Sequence, residues 1–230
     1  MSEILQQAIY FGAMLTLGTY GIGVLLKKKF SFAFFNPILI SMLLCILILK
    51  CLHIDYEAYD EGAKYISYLL TPATICLAVP LYEQIEALKK NALAVFLGIL
   101  SGVLASLTSV LVFSLLFHLQ HTAYVSLLPK SITTAMGMGV SEELGGYVSP
   151  TVIVIVLTGV LGNMFAEGFL KLIQVKEPVA KGIAIGTSSH AIGTAKAMEL
   201  GEVEGAMSGL SIGVAGVLTV ILATVYAQFI

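Results

Sequence analysis

Apolar residues in this chain come in long runs free of Lys, Arg, Asp and Glu, separated by short polar clusters. The runs extend from Ala8 to Leu26, Phe30 to Leu49, Tyr65 to Tyr82, Asn91 to Phe117, Gly145 to Ala166 and Gly205 to Ile230. A bilayer core takes about 20 apolar residues per helical crossing, so each run predicts one crossing. Two further stretches, Tyr124 to Gly139 and Gly182 to Ala195, are apolar but studded with Ser, Thr, Gly and a His or Lys. They are predicted to be broken helices or re-entrant turns, because irregular backbone at membrane depth survives only inside protein or beside a water-filled cavity. The expected fold is all-α: a polytopic membrane protein of six to eight membrane segments, forming a single integral membrane domain over residues 1–230.

The lysines set an orientation, since short loops rich in Lys and Arg stay on the cytoplasmic side. Lys27, Lys28 and Lys29 place the first loop inside, the acid-rich loop His53 to Lys64 falls outside, and Lys89 and Lys90 return the chain to the inside. Lys171, Lys176 and Lys181 mark another inner loop, and Glu199, Glu202 and Glu204 are assigned outside. On this map 124–139 enters and leaves on the outer side, whereas 182–195 crosses. The N-terminus is then outside and the C-terminus inside.

The halves 8–117 and 124–230 also match at a nearly constant offset. Gly21-Ile22-Gly23-Val24 falls on Gly137-Met138-Gly139-Val140, Asn36-Pro37 on Ser149-Pro150, Thr71-Pro72-Ala73-Thr74 on Thr187-Ser188-Ser189-His190, and Ser101-Gly102-Val103-Leu104 on Ala215-Gly216-Val217-Leu218. An internal duplication is expected, arranged as an inverted repeat of the kind found in many transporters.

Composition sharpens the class and removes others. The chain is 58% hydrophobic and only 11% charged, against roughly one quarter charged for a soluble domain, so no soluble catalytic domain is expected. A net charge of -2 spread over short loops gives nucleic acid no electrostatic footing. Cys45, Cys51 and Cys76 lie in or beside apolar runs without metal-ligand spacing and read as packing residues; no metal or other cofactor is expected. The first seven residues lack the basic region and cleavage site of a signal peptide, so the first apolar run is expected to be retained.

Candidate chemistry concentrates in the two interrupted stretches. In Lys181-Gly-Ile-Ala-Ile-Gly-Thr-Ser-Ser-His-Ala-Ile-Gly-Thr-Ala-Lys196, four hydroxyls and an imidazole sit among glycines. Breaking a helix there frees backbone N–H groups at the start of the downstream half, and with the positive dipole end they favour an anion. Thr187, Ser188, Ser189 and Thr194 offer hydroxyl donors, and His190 titrates near neutrality and could carry a coupling proton. The competing reading is a small-residue helix packed closely on a neighbour. In the other stretch, Lys130 precedes Ser131, Thr133 and Thr134, beside Pro129 and Gly137. Lys130 reads either as a counter-charge for a small organic acid or as an interfacial lysine snorkelling to the headgroups. Asn163 and Glu167 share a helix face and read as a solvated helix end. Thr71, Pro72 and Pro80 are breaker signals in the first half, read as a discontinuous helix or a simple kink. Phosphate-loop, zinc-protease and serine-elbow motifs are absent, and no enzyme is expected.

At these same residues the chain resembles the LrgB/CidB family of bacterial membrane proteins. The resemblance rests on Pro129-Lys130-Ser131-Ile132-Thr133-Thr134, Glu142-Glu143-Leu144-Gly145-Gly146, Gly186 through Ala195, and Glu199 through Ala206. It departs at Ala135-Met136-Gly137, where the family often has a proline after the paired threonines. The resemblance implies a bacterial inner-membrane protein with two competing functions. Members were first described as holin-like or antiholin-like modulators of murein hydrolase activity and autolysis, working with a small LrgA/CidA-type membrane partner. Related proteins, including a plastid glycolate/glycerate translocator, carry small monocarboxylates, and bacterial relatives are linked to pyruvate. The reading that joins residues and resemblance is a transporter or facilitator of a small organic anion, expected as a homo-oligomer, with Thr187, Ser188, Ser189, His190 and Thr194 facing Lys130, Ser131, Thr133 and Thr134. The alternative is a holin-like or antiholin-like modulator acting through an oligomeric pore or its membrane partner.

Overall fold

The computed structural model describes residues 10–30, 35–69, 72, 75, 76, 79, 82 and 85–230, and among these all regular structure is helical. Thr71, Ala73, Thr74 and Pro80, which carry the expected break in the first half, lie outside the described residues. The chain divides into two compact units, Met1–Cys76 and Leu77–Ile230.

The first unit holds α1 (Phe11–Lys29), α2 (Pro37–Leu52) and α3 (Tyr56–Ser67). Asn36 starts α2 by accepting the N–H groups of Ile38 at 2.9 Å and Leu39 at 3.3 Å, with Pro37 in the first turn where its missing N–H costs nothing. Between α1 and α2, the Thr19 hydroxyl lies 2.9 Å from Ser41 Oγ and 3.2 Å from Cys45 Sγ. The acid-rich stretch expected as a loop is instead an amphipathic helix. Glu57, Asp60 and Glu61 of α3 are exposed, and on its other side Tyr59 meets Thr16 of α1 at 2.8 Å. Burial pushes the Tyr59 phenol above its ordinary range.

The second unit holds α4 (Ile85–Leu116), α5 (His121–Leu127), α6 (Thr134–Glu143), α7 (Val148–Leu172), α8 (Pro178–Leu200) and α9 (Glu202–Tyr226), closed by a 3₁₀ turn over Ala227–Phe229. Three stretches are long and apolar enough to cross a membrane, Ala92–Leu116, Val148–Leu172 and Glu202–Phe229, and α2 is a shorter apolar helix. Large apolar side chains such as Leu97, Val112, Leu157, Leu161 and Ile221 stand exposed on them. So much apolar surface suits lipid, not water. The protein is an all-α membrane protein. Its interior packs Ile99 and Leu107 of α4, Tyr124 of α5, Leu128 and Ile132 of the next turn, and Met207 of α9.

Contacts along α4 and α9 fix the depth of α5, α6 and α8. On α4, Gly98 faces Ile183, Gly102 faces Thr187, Ser106 Oγ lies 3.1 Å from Ser131 Oγ, and Thr108 Oγ1 lies 2.8 Å from the Tyr226 hydroxyl. On α9, Glu204 pairs with Lys181 at 3.7 Å, Ser208 bonds Thr194 at 2.8 Å, Gly216 faces Met136, and the Tyr226 carbonyl accepts from the Tyr124 hydroxyl at 2.8 Å. Helices α4 and α9 therefore run in the same direction. The expected inversion is not carried by the pair formed by Ser101–Leu104 and Ala215–Leu218.

Two elements fold back within this frame. Helix α5 enters from the end of the unit where His121 Nδ1 lies 2.7 Å from Ile230 O, turns at 128–133, and α6 returns to the same end. There the Ser126 hydroxyl accepts the Tyr147 N–H at 2.6 Å, and Thr151 Oγ1 lies within hydrogen-bond distance of Ser126 O and Ser141 Oγ, at 2.9 and 2.8 Å. This is the fold-back expected of 124–139. Helix α8 departs from expectation: 182–195 does not cross. His190 at φ 42°, ψ -141° breaks the helix, and the chain reverses so that Ile185 and Ala197 pack together against Leu170. Lys181 in the incoming arm reaches Glu204, four residues beyond the outgoing arm's last residue, Leu200. Both ends of α8 thus lie at the lysine-bearing end of α7, and Ile230 lies at the opposite end of α9. The premise that would put the C-terminus on the lysine side is not met.

Candidate functional site

The two hairpin tips approach from opposite ends and stop at one depth. Thr187 and Ser131 reach α4 one turn apart, at Gly102 and Ser106. Both tips also touch Ile155 of α7, whose carbonyl takes a hydrogen bond from His190 and whose side chain lies against Gly137. Each tip begins a downstream half-helix, at Ala191 and at Thr134, so two positive helix ends are brought to the middle of the unit.

At the α8 tip, chain reversal needs neighbours small enough to let the bend in. Gly186 lies so close to the Ser208 backbone that a side-chain carbon would collide with it, which lets α8 and α9 pack backbone to backbone. Gly159 seats the imidazole: an added Cβ there would stand 2.8 Å from His190 Cε1. His190 is 2% exposed, and its Nε2 lies 3.0 Å from Ile155 O. A carbonyl only accepts, so Nε2 carries the proton. Side-chain donors reach carbonyls at the start of the outgoing arm. Thr194 Oγ1 donates to His190 O at 2.9 Å, and Asn163 Nδ2 donates to Ile192 O at 2.7 Å.

The expected site residues separate by these partners. Ser188 is exposed and its hydroxyl returns to Ala184 O at 2.7 Å; Thr194 is buried but committed to His190 O and Ser208. Ser189 is buried, 3.0 Å from Ser188 Oγ. Thr187 Oγ1 is buried without a hydrogen-bond partner, a costly state for a hydroxyl in an apolar interior. At the other tip, Lys130 Nζ donates to Ser131 Oγ at 3.1 Å, while Thr133 and Thr134 are half-buried at the start of α6. Among the described residues no hydrogen bond links one tip to the other.

Three residues outside the expected site hold the α8 hairpin in place. Asn163 is not a solvated helix end: it is 9% exposed and holds the broken backbone of α8. Glu167 is committed too, pairing with Lys171 at 2.7 Å and with Lys196 of the outgoing arm at 2.8 Å. Glu204, expected in an outer loop, is 7% exposed and tied to Lys181. Among the described residues no cluster of three or more His, Cys, Asp or Glu side chains is placed to hold a metal.

The family model for the LrgB-like family matches residues 16–229. Similar proteins include the "Antiholin-like protein LrgB" of Bacillus mycoides (strain KBAB4) and of Bacillus cereus (strain B4264). Each is 38% identical over 222 residues, spanning 96% of this chain and 96% of its own length. No solved structure matches the chain.

Proposed function

The chain belongs to the LrgB-like family, and from that membership we propose that it is an antiholin-like membrane protein that modulates murein hydrolase activity and autolysis. The observation that carries this reading is the near full-length likeness to relatives named antiholin-like, and that name fits it better than it fits monocarboxylate transport. It acts in the bacterial inner membrane as a homo-oligomer with a small LrgA/CidA-type membrane partner. With the lysines of 171–181 inside, His121 and Ile230 lie outside.

One specific observation favours a second reading, passage of a small monocarboxylate such as pyruvate or glycolate. Two broken elements meet at one depth, bringing two half-helix starts and the unpartnered Thr187 hydroxyl to the middle of the unit. Half-helix N-termini near the midplane are how discontinuous transporter helices hold anionic groups. In this reading Thr187, Ser189 and His190 bind the carboxylate from one side and Lys130, Ser131, Thr133 and Thr134 from the other, while Ser188 and Thr194 hold the α8 arms in shape. The two readings can describe one protein, since moving an organic acid changes membrane energetics, from which altered autolysis follows.

Two measurements separate them. In cells lacking the gene, restoring it should change murein hydrolase activity on zymograms and the rate of autolysis; no change in either would remove the first reading. In proteoliposomes, saturable uptake of labelled pyruvate, glycolate or lactate, competed by the other acids, supports the second. Leakage of an unrelated dye without saturation excludes it and leaves a pore.

A further inference from the structure

Below the α8 hairpin, where its two arms reach the end of α7, the structure opens a cavity of about 440 Å³. Its wall is made of Glu167, Lys171, Gln174, Lys176 and Lys181 with Leu170, Val175 and Leu200. Three ammonium groups stand against one carboxylate. That carboxylate is already taken by Lys171 and Lys196, and Lys181 shares Glu204 only at 3.7 Å. Lys176 makes no ion pair among the described residues. The cavity therefore carries surplus positive charge on one wall and aliphatic side chains on the other. Its volume is that of a site for a drug-sized ligand, well beyond a three-carbon acid.

From this arrangement we propose that the cavity binds a singly charged oxyanion, supplied by the phosphodiester headgroup of an anionic phospholipid. The headgroup phosphate sits among Lys171, Lys176 and Lys181, and the glycerol and first acyl carbons lie on Leu170, Val175 and Leu200. The lysines mark the end of α7 where a crossing helix leaves the hydrocarbon, the depth at which a headgroup lies, and basic pockets between membrane helices are known to take such headgroups. A bound phosphate would bridge α7 to the incoming arm of α8 through Lys171 and Lys181. It would thereby brace the base of the hairpin whose tip carries His190. The site is separate from the hairpin tips and does not depend on what passes them.

The test is native mass spectrometry and thermal unfolding of the full-length protein in detergent, with phosphatidylglycerol, phosphatidylcholine, inorganic phosphate and pyruvate each added in turn. Phosphatidylglycerol should be retained through activation and raise the unfolding midpoint, with phosphatidylcholine doing neither. Lys176→Gln should weaken phosphatidylglycerol retention about fivefold, the effect of one lysine near a charged headgroup. The triple Lys171→Gln, Lys176→Gln, Lys181→Gln variant should abolish it. A control with Lys27, Lys28 and Lys29 changed to Gln should retain the lipid as the parent does. If the triple variant does not fold, the single Lys176→Gln change decides the matter. Equal retention of both lipids, equal loss in the α1 control, or an unchanged Lys176→Gln variant would overturn the proposal. Stabilisation by phosphate or pyruvate but not by phosphatidylglycerol would overturn the lipid source and leave a soluble oxyanion in its place.

Discussion

Thr187 distinguishes a packing role from a binding role. Its hydroxyl is buried without a partner, and an unsatisfied polar group in an apolar interior costs about 1–3 kcal/mol. Thr187→Val keeps the shape and removes the unpaired group, so the unfolding midpoint in detergent should hold or rise by about 1 kcal/mol equivalent. If the hydroxyl is kept for a carboxylate, the same variant should lose most monocarboxylate uptake in proteoliposomes. A more stable protein with unaltered uptake would mean that Thr187 only fills space. Gly159 makes the opposite case. A methyl group there would stand 2.8 Å from His190 Cε1 and 2.9 Å from Nε2, so Gly159→Ala must push the imidazole off the Ile155 carbonyl. Overpacking of that kind costs about 1–3 kcal/mol, read as a lowered thermal midpoint.

At the scale of elements, the weak point of α8 is its break, and Asn163 is the side chain on α7 that secures it. Asn163→Leu keeps the bulk but removes the side-chain donor to Ile192 O, a hydrogen bond with a net worth of about 0.5–1.5 kcal/mol. Amide exchange in 191–195 should then quicken more than exchange in α9; uniform slowing or no local change would show that Asn163 does not hold the outgoing arm. Much of this element was legible in the sequence. Four hydroxyls, a histidine and several glycines in an apolar stretch announced a break, and Pro129 beside Gly137 announced the other one. The reversal of α8 was not legible, because a broken crossing and a hairpin tip draw on the same small and polar residues. The deciding facts are spatial: Ile185 against Ala197, and Lys181 against Glu204. The i, i+4 spacing of Asn163 and Glu167 shows their shared face but not that it is covered, since their partners, Ile192 O and Lys196, lie 29 residues further along the chain. The charge of the acid-rich stretch around Asp60 suggests a loop and masks its helical period, in which Tyr59 and Ala63 lie one turn apart on the face that meets α1.

At the largest scale, the hairpin changes which helix ends of the second unit share a side of the membrane. If 182–195 crossed, Lys176 and Glu202 would face opposite compartments; with α8 folded back, they face the same one. Helix α9 then carries the chain from the lysine side to the side of His121, where Ile230 O meets the imidazole. This can be read in right-side-out and inverted vesicles with a membrane-impermeant thiol reagent. Cys45, Cys51 and Cys76 are first replaced by Ser, and single cysteines are placed at Lys176, Glu202 and His121. Positions 176 and 202 should label from one side, and position 121 from the other. The lysine rule assigns the first pair to the cytoplasm. Opposite labelling of 176 and 202 would restore a crossing α8 and separate the Lys181–Glu204 pair, and with it the convergence of the two tips. Shared labelling of 176 and 202, with 121 on the other side, would fix α9 as a crossing and α8 as a fold-back from the lysine side.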